Sequence, residues 1–191
     1  MGCDEFRRRH GTIQGRSPGR GGLSKWAKLE REIRKLLSGS HFQVLTTIID
    51  YYGIPADTPG MSDRPPGGTA IERVSHVELA MAQHCADPRF IPHLTLHESE
   101  AWVFAAADQL AELAGNGALA TRLNKDTALA GGPEQINDGP TTAPSKRIYQ
   151  YWPSFSKTSD GPRAVADLGL IRLRERCPHL HKWLLKIERG M

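Results

Sequence analysis

The sequence predicts an α/β domain built on parallel strands. Two short apolar, β-branched runs, residues 44–49 (VLTTII) and 90–97 (FIPHLTLH), alternate with helix-periodic segments in a β-α-β-α order. The first run is continuous rather than alternating, the pattern of a strand covered on both faces. Each run ends abruptly in polar residues, Asp50 after the first and Glu98-Ser99-Glu100 after the second. Open parallel sheets bind their ligands just beyond such strand ends.

The elements follow in order. Residues 1–22 hold few apolar side chains, the run Arg7-Arg8-Arg9 and a Gly/Arg stretch from Gly15 to Gly22, so a disordered basic arm is expected there. Residues 23–191 are expected to form one domain. Ser24 is placed to cap a helix in which Trp26, Leu29, Ile33 and Leu36 share a face and Gly39 provides the stop. Residues 55–68 are Pro/Gly-rich loop. Thr69-Ala70-Ile71-Glu72 is a capping box, and Ile71, Val74, Val77, Met81 and Cys85 form the stripe of the helix it opens, which Asp87-Pro88 ends. In the second strand Leu94 and Leu96 take one face, and His93, Thr95 and His97 the other.

Helical composition then runs from Glu98 to about Ala107, with Asp108 set to cap a further short helix. Residues 115–132 are Ala/Gly-rich and give no clear assignment. Asn137-Asp138-Gly139-Pro140 is a turn, after which Thr141 or Thr142 caps a helix with Pro144 in its first turn. Residues 163–176 read as helix. Pro178 opens the last one, where Leu180, Trp183, Leu184 and Ile187 share a face. Two strands make a thin sheet.

Composition bounds the function. With 191 residues, 39% hydrophobic and 24% charged, the chain is long enough for one sizeable core. No stretch approaches the roughly 18 apolar residues of a membrane span, and no apolar signal-peptide core precedes the first helix. Cys3, Cys85 and Cys177 are far apart and form no CxxC pair, which disfavours a thiolate metal site and fits a reducing, cytoplasmic setting. Residues 1–37 carry ten Lys/Arg against four Asp/Glu, so the net charge of +4 resides in the N-terminal part. Such an arm serves either as a solvated tail or as a phosphate-binding segment.

Three groups of residues can carry chemistry. Asp50 ends the first strand, in a position suited equally to a ligand site and to a turn. Glu98 and Glu100 follow the second strand, and parallel packing brings them near Asp50. Three carboxylates together suit Mg²⁺ or Mn²⁺, which prefer oxygen ligands. Acidic residues also complement a helix N-terminus with no ion at all. On a regular helix Glu98 and Glu100 would point about 160° apart, so only one of them is expected to face Asp50. Ser145-Lys146-Arg147 forms the third group: two cations in a first helical turn oppose the dipole, which suits an anion such as phosphate, or else an ion network with the acidic residues.

Other chemistries are disfavoured. His179 and His181 are two apart on a helix, and His93 and His97 are separated by about 13 Å of strand, so the histidines do not form a metal set within one element. HExxH, GxxxxGK[ST] and GxSxG are all absent.

Several segments together resemble the bacterial family DUF4276. They are Lys25-Trp26-Ala27-Lys28 after the Gly/Arg stretch, residues 46–55 (TTIIDYYGIP), 87–92 (DPRFIP), 96–101 (LHESEA), 136–140 (INDGP), 143–147 (APSKR), Gly161-Pro162 and Cys177-Pro178-His179. The family looks like a diverged Toprim fold, the Mg²⁺-binding domain of topoisomerases, primases and certain nucleases. The resemblance implies Asp50 as the strand-end aspartate, Glu98 and Glu100 as further acidic members, and Lys146 as the basic residue brought to the scissile phosphate. It also implies a place in phage defence beside an ATPase partner. Two functions follow as alternatives: a Mg²⁺-dependent nuclease or phosphoryl-transfer enzyme, or a non-catalytic module that docks an ATPase or nucleic acid. One departure stands out. Such proteins usually open with a strand ending in a Glu-Gly-x-x-Glu-like motif, and no such motif occurs here, so the sheet is expected to lack its first strand.

Overall fold

The computed structural model describes residues 25–39, 41–136 and 143–190. The basic arm, Ser24, the 137–140 turn and both Thr141 and Thr142 lie outside them. Among the described residues the fold is mixed α/β, with helices predominating and the strands reduced to short parallel pairs.

The parallel pairing is as expected, but neither strand is continuous. β1 (Leu45–Thr46) pairs with β3 (Phe90–Ile91), and β2 (Ile49–Asp50) pairs with β4 (Leu94–Thr95). Leu45 faces Phe90 and Ile49 faces Leu94, so both pairs keep the same register and form one ribbon with a gap. The gap has a physical cause: Pro92 has no N–H to donate. Threonine hydroxyls fill it. Thr47 Oγ1 accepts from the His93 N–H at 3.2 Å, and Thr46 Oγ1 donates to the Ile91 carbonyl at 2.5 Å. The expectation of a first strand buried on both faces fails. Leu45, Thr46 and Ile49 are half-buried and Ile48 is 53% exposed, because the ribbon has no third strand to cover that edge among the described residues.

Helix α1 (Trp26–Leu37) buries Trp26, Ile33 and Leu37. Its N-cap is Lys25, not Ser24, and the Trp26 N–H donates instead to the distant Asp57 carboxylate at 2.9 Å. After the 3₁₀ turn Tyr51–Gly53 and a long loop, α2 (Ala70–Cys85) starts with the complete Thr69/Glu72 capping box and stops at Ala86 in the left-handed conformation. The loop touches α2 at Gly60, whose φ is +83° and whose added Cβ would lie 2.7 Å from Ala80 Cβ. Gly60→Ala is expected to destabilise the fold by about 1–3 kcal/mol in urea unfolding.

The second half is helical. α3 (Ala101–Ala105) and α4 (Ala107–Ala114) break at Ala106, which itself caps α4, so Asp108 lies inside the first turn instead of capping it. α5 (Gly117–Ala130), capped by Asn116 through the Ala118 N–H, buries Leu119 and Leu123 at i,i+4 spacing in the stretch that had no assignment. After the 3₁₀ turn Pro133–Gln135, α6 (Pro144–Tyr151) has Ala143 at its N-cap position and Pro144 in its first turn. The segment read as one helix over 163–176 is two, α7 (Asp160–Leu168) and α8 (Leu170–Arg176), divided at Gly169 with φ +82°. α9 (Pro178–Gly190) buries Leu180 and Trp183 as expected.

Two apolar cores result. One joins α1, α2 and the ribbon around Val74, Val77, Met81, Leu94 and Leu96. The other joins α3–α9 around Phe104, Leu110, Leu123, Ile148 and Leu180.

Candidate functional site

Asp50 lies at the C-terminal end of β2, beside Thr95 in β4. Its Oδ1 accepts from the Thr95 hydroxyl at 2.8 Å. Surrounding protein raises the Asp50 carboxyl above its ordinary pKa, and the charges of Glu100 and Glu98 push it the same way, against hydrogen bonds from Thr95 and the Ser99 backbone.

The charges of both glutamates reach Asp50. The local backbone there is a turn. Residues 98–100 form the turn before α3, with the Ala101 N–H returning to the Glu98 carbonyl at 3.0 Å, so the opposed directions of a regular helix do not apply. Glu98 Oε2 accepts from the Ser145 N–H at 3.0 Å, and Glu100 Oε1 pairs with Lys157 Nζ at 2.8 Å. Burial would lower the Lys157 pKa, but the bond to Glu100 and the charges of Glu100 and Glu98 raise it instead. Beside them His97 stacks on Tyr52 at a centroid distance of 5.9 Å, and burial holds its pKa down.

The 145–147 segment divides. The N-terminus of α6 does hold an anion, and that anion is the protein's own Glu98 carboxylate on the Ser145 N–H. Ser145 is buried, so its amide is not open to an external phosphate. Arg147 turns to Asp126 at 3.2 Å, away from a shared phosphate. Lys146 is exposed and makes no ion pair among the described residues. Lys157, twelve residues past Ser145, was not among the sequence candidates, since a lysine in a polar loop carries no local signal.

A second polar group lies where the two cores meet. Glu78 sits on the apolar stripe of α2, His93 in the gap between β3 and β4, and His179 at the start of α9. Glu78 Oε1 accepts from the Leu94 N–H at 2.9 Å and lies 3.0 Å from His179 Nε2 and 3.4 Å from His93 Nδ1. His93 stacks on Trp183 and His179 at centroid distances of 4.4 and 4.8 Å. All three residues are buried, their donor atoms lie within 4.8 Å of one another, and the group can hold a metal ion. Burial alone would raise the Glu78 carboxyl, but the hydrogen bond from His179, the nearby His93 ring and the His179 charge hold it at about 2. Burial alone would lower His179, but its bond to Glu78 and the Glu78 and Glu134 charges raise it.

Testing the histidines within single elements missed this group, since its members lie on three elements. One signal was available: Glu78 interrupts an apolar face between Val74 and Met81, and a charge there needs a buried partner.

A search of curated proteins found no match, and a search of solved structures found none either. The family profile described as "domain of unknown function (DUF4276)" matches residues 4–188. With so nearly complete a match, the chain belongs to the DUF4276 family.

Proposed function

We propose that Asp50, Glu98 and Glu100 bind Mg²⁺ or Mn²⁺ and serve phosphoryl transfer on a nucleic acid, in the manner of a Toprim-like nuclease. The observation that supports this reading is the position of Asp50 at the C-terminal end of β2, with Glu98 and Glu100 following β4 and their charges raising the Asp50 pKa. Oxygen donors of this kind fit a hard divalent cation. When bound, the cation activates water and offsets charge developing on phosphate. Thr95 holds one Asp50 oxygen in place, and Lys157 and the exposed Lys146 offer positive charge to the substrate backbone. A cytoplasmic role in phage defence is consistent with this chemistry.

The test is cleavage of a DNA and RNA panel with Mg²⁺ or Mn²⁺. Asp50→Asn is expected to lower the rate on the order of 100-fold. Metal-dependent cutting that survives the substitution unchanged sinks the assignment. The same substitution is expected to stabilise the metal-free chain slightly at neutral pH in urea unfolding, since folding raises the Asp50 pKa and its ionisation therefore opposes folding.

A second reading, a non-catalytic module docking an ATPase or nucleic acid, is favoured by the internal partners each carboxylate already has: Thr95, the Ser145 N–H and Lys157. Tight nucleic-acid or ATPase binding with no cutting under any metal selects it.

A further inference from the structure

We propose that Glu78, His93 and His179 form a zinc-type metal centre, with a fourth coordination position open to the cleft beside it. The inference does not depend on the reading of the acidic site. Two imidazole nitrogens and a carboxylate oxygen are the donor set of three-ligand zinc sites. The Glu78 Oε1 distances, 3.0 Å to His179 Nε2 and 3.4 Å to His93 Nδ1, approach the edge of about 3.3 Å in a tetrahedron with ordinary zinc bonds. An ion there takes the place of the hydrogen bond between Glu78 and His179.

The independent observation is His93. The residue is 1% exposed, and neither ring nitrogen has a hydrogen-bond partner. A buried imidazole with both nitrogens unsatisfied is unfavourable on its own. Nδ1 points at Glu78 without the geometry of a hydrogen bond, and a metal bond satisfies it. The surroundings fix the ligands in the way metal sites require. Trp183 stacks on the His93 ring, and the Leu94 N–H holds Glu78 Oε1.

Glu78 and His179 also line a cleft of about 50 Å³ with Ser75, Lys182 and Lys186. That volume admits a water or small anion and excludes a large substrate. The two lysines favour the anion. Structural zinc sites are closed by a fourth protein ligand, whereas this set has three with space beside them.

The experiment uses the full chain, stripped with a chelator and titrated with Zn²⁺, and separately with Co²⁺ to read its visible spectrum. One equivalent of Zn²⁺ and a cobalt band of tetrahedral intensity are expected. His93→Gln, shown to be folded by circular dichroism, is expected to bind Zn²⁺ at least about tenfold more weakly. Asp50→Asn is expected to keep the stoichiometry, which separates this centre from the acidic site. Sub-stoichiometric Zn²⁺, no tetrahedral cobalt band in the unsubstituted chain, or equal affinity in folded His93→Gln overturns the proposal. Loss of zinc in Asp50→Asn also overturns it. If His93→Gln fails to fold, the cobalt spectrum of the unsubstituted chain decides.

Discussion

Glu78→Ala is expected to remove about 3–5 kcal/mol of folding stability, measured by urea unfolding in chelator-containing buffer. The substitution leaves the buried His179 charge without its counter-charge and the Leu94 N–H without an acceptor. Each loss is costly, because both groups are buried where the two apolar cores meet. Against a total of about 5–15 kcal/mol for a natural domain, the variant is left near its folding threshold. Glu78→Gln keeps an acceptor for Leu94 and is expected to lose less.

The same pair sets a pH window. Folding depresses the Glu78 pKa from 4.5 to about 2, so its contribution is present above about 4.5 and lost as pH falls through about 2. Folding raises the His179 pKa above 6.5, so its contribution is fully present below 6.5 and lost as pH rises through the elevated value. Metal-free protein is therefore expected to gain most from the pair between pH 4.5 and 6.5. Glu78→Ala is expected to flatten the fall of the urea midpoint below pH 4.5, and His179→Gln its fall above pH 6.5. A midpoint that rises steadily from pH 6.5 to 8 in the unsubstituted chain contradicts the assignment.

Glu134→Ala is expected to cost about 3 kcal/mol and to loosen the start of α9. Pro178 has no N–H, so the first amides that α9 must satisfy are those of His179 and Leu180. Glu134 accepts both, at 2.8 and 3.1 Å, and is only 4% exposed. Its charge also supports the raised His179 pKa and pushes the buried Cys177 thiol up. Hydrogen exchange at His179 and Leu180 is expected to accelerate before global unfolding does. Unchanged protection there, with normal stability, contradicts the capping role.

Local chemistry was legible in the sequence. The Thr69/Glu72 box, the Val74–Met81 stripe, the parallel pairing and the Pro178 start all follow from nearest neighbours and periodicity. Long-range polar contacts were not. Asp57 capping α1, Glu98 capping α6 and Glu134 capping α9 are each supplied by a residue distant in sequence, and no spacing rule reaches that far. The strand was read as fully covered because VLTTII looks like a buried run, yet its two threonines were serving the ladder gap at Pro92. Parallel pairing sets Asp50 beside Thr95, three residues before Glu98, as the β-α-β order implies. Lys157 joined Glu100 from a loop whose path only the packing of α3 and α7 sets.

The Glu78–His179 bond closes over 101 residues of sequence. During synthesis from the N-terminus, α2 and the ribbon leave the ribosome long before α9. Until α9 arrives, Glu78 holds a charge against an unfinished apolar surface, so the first core is not sealed early. A chain interrupted before Pro178 leaves Glu78 without its His179 partner, so the two halves share one polar contact that only the whole chain completes.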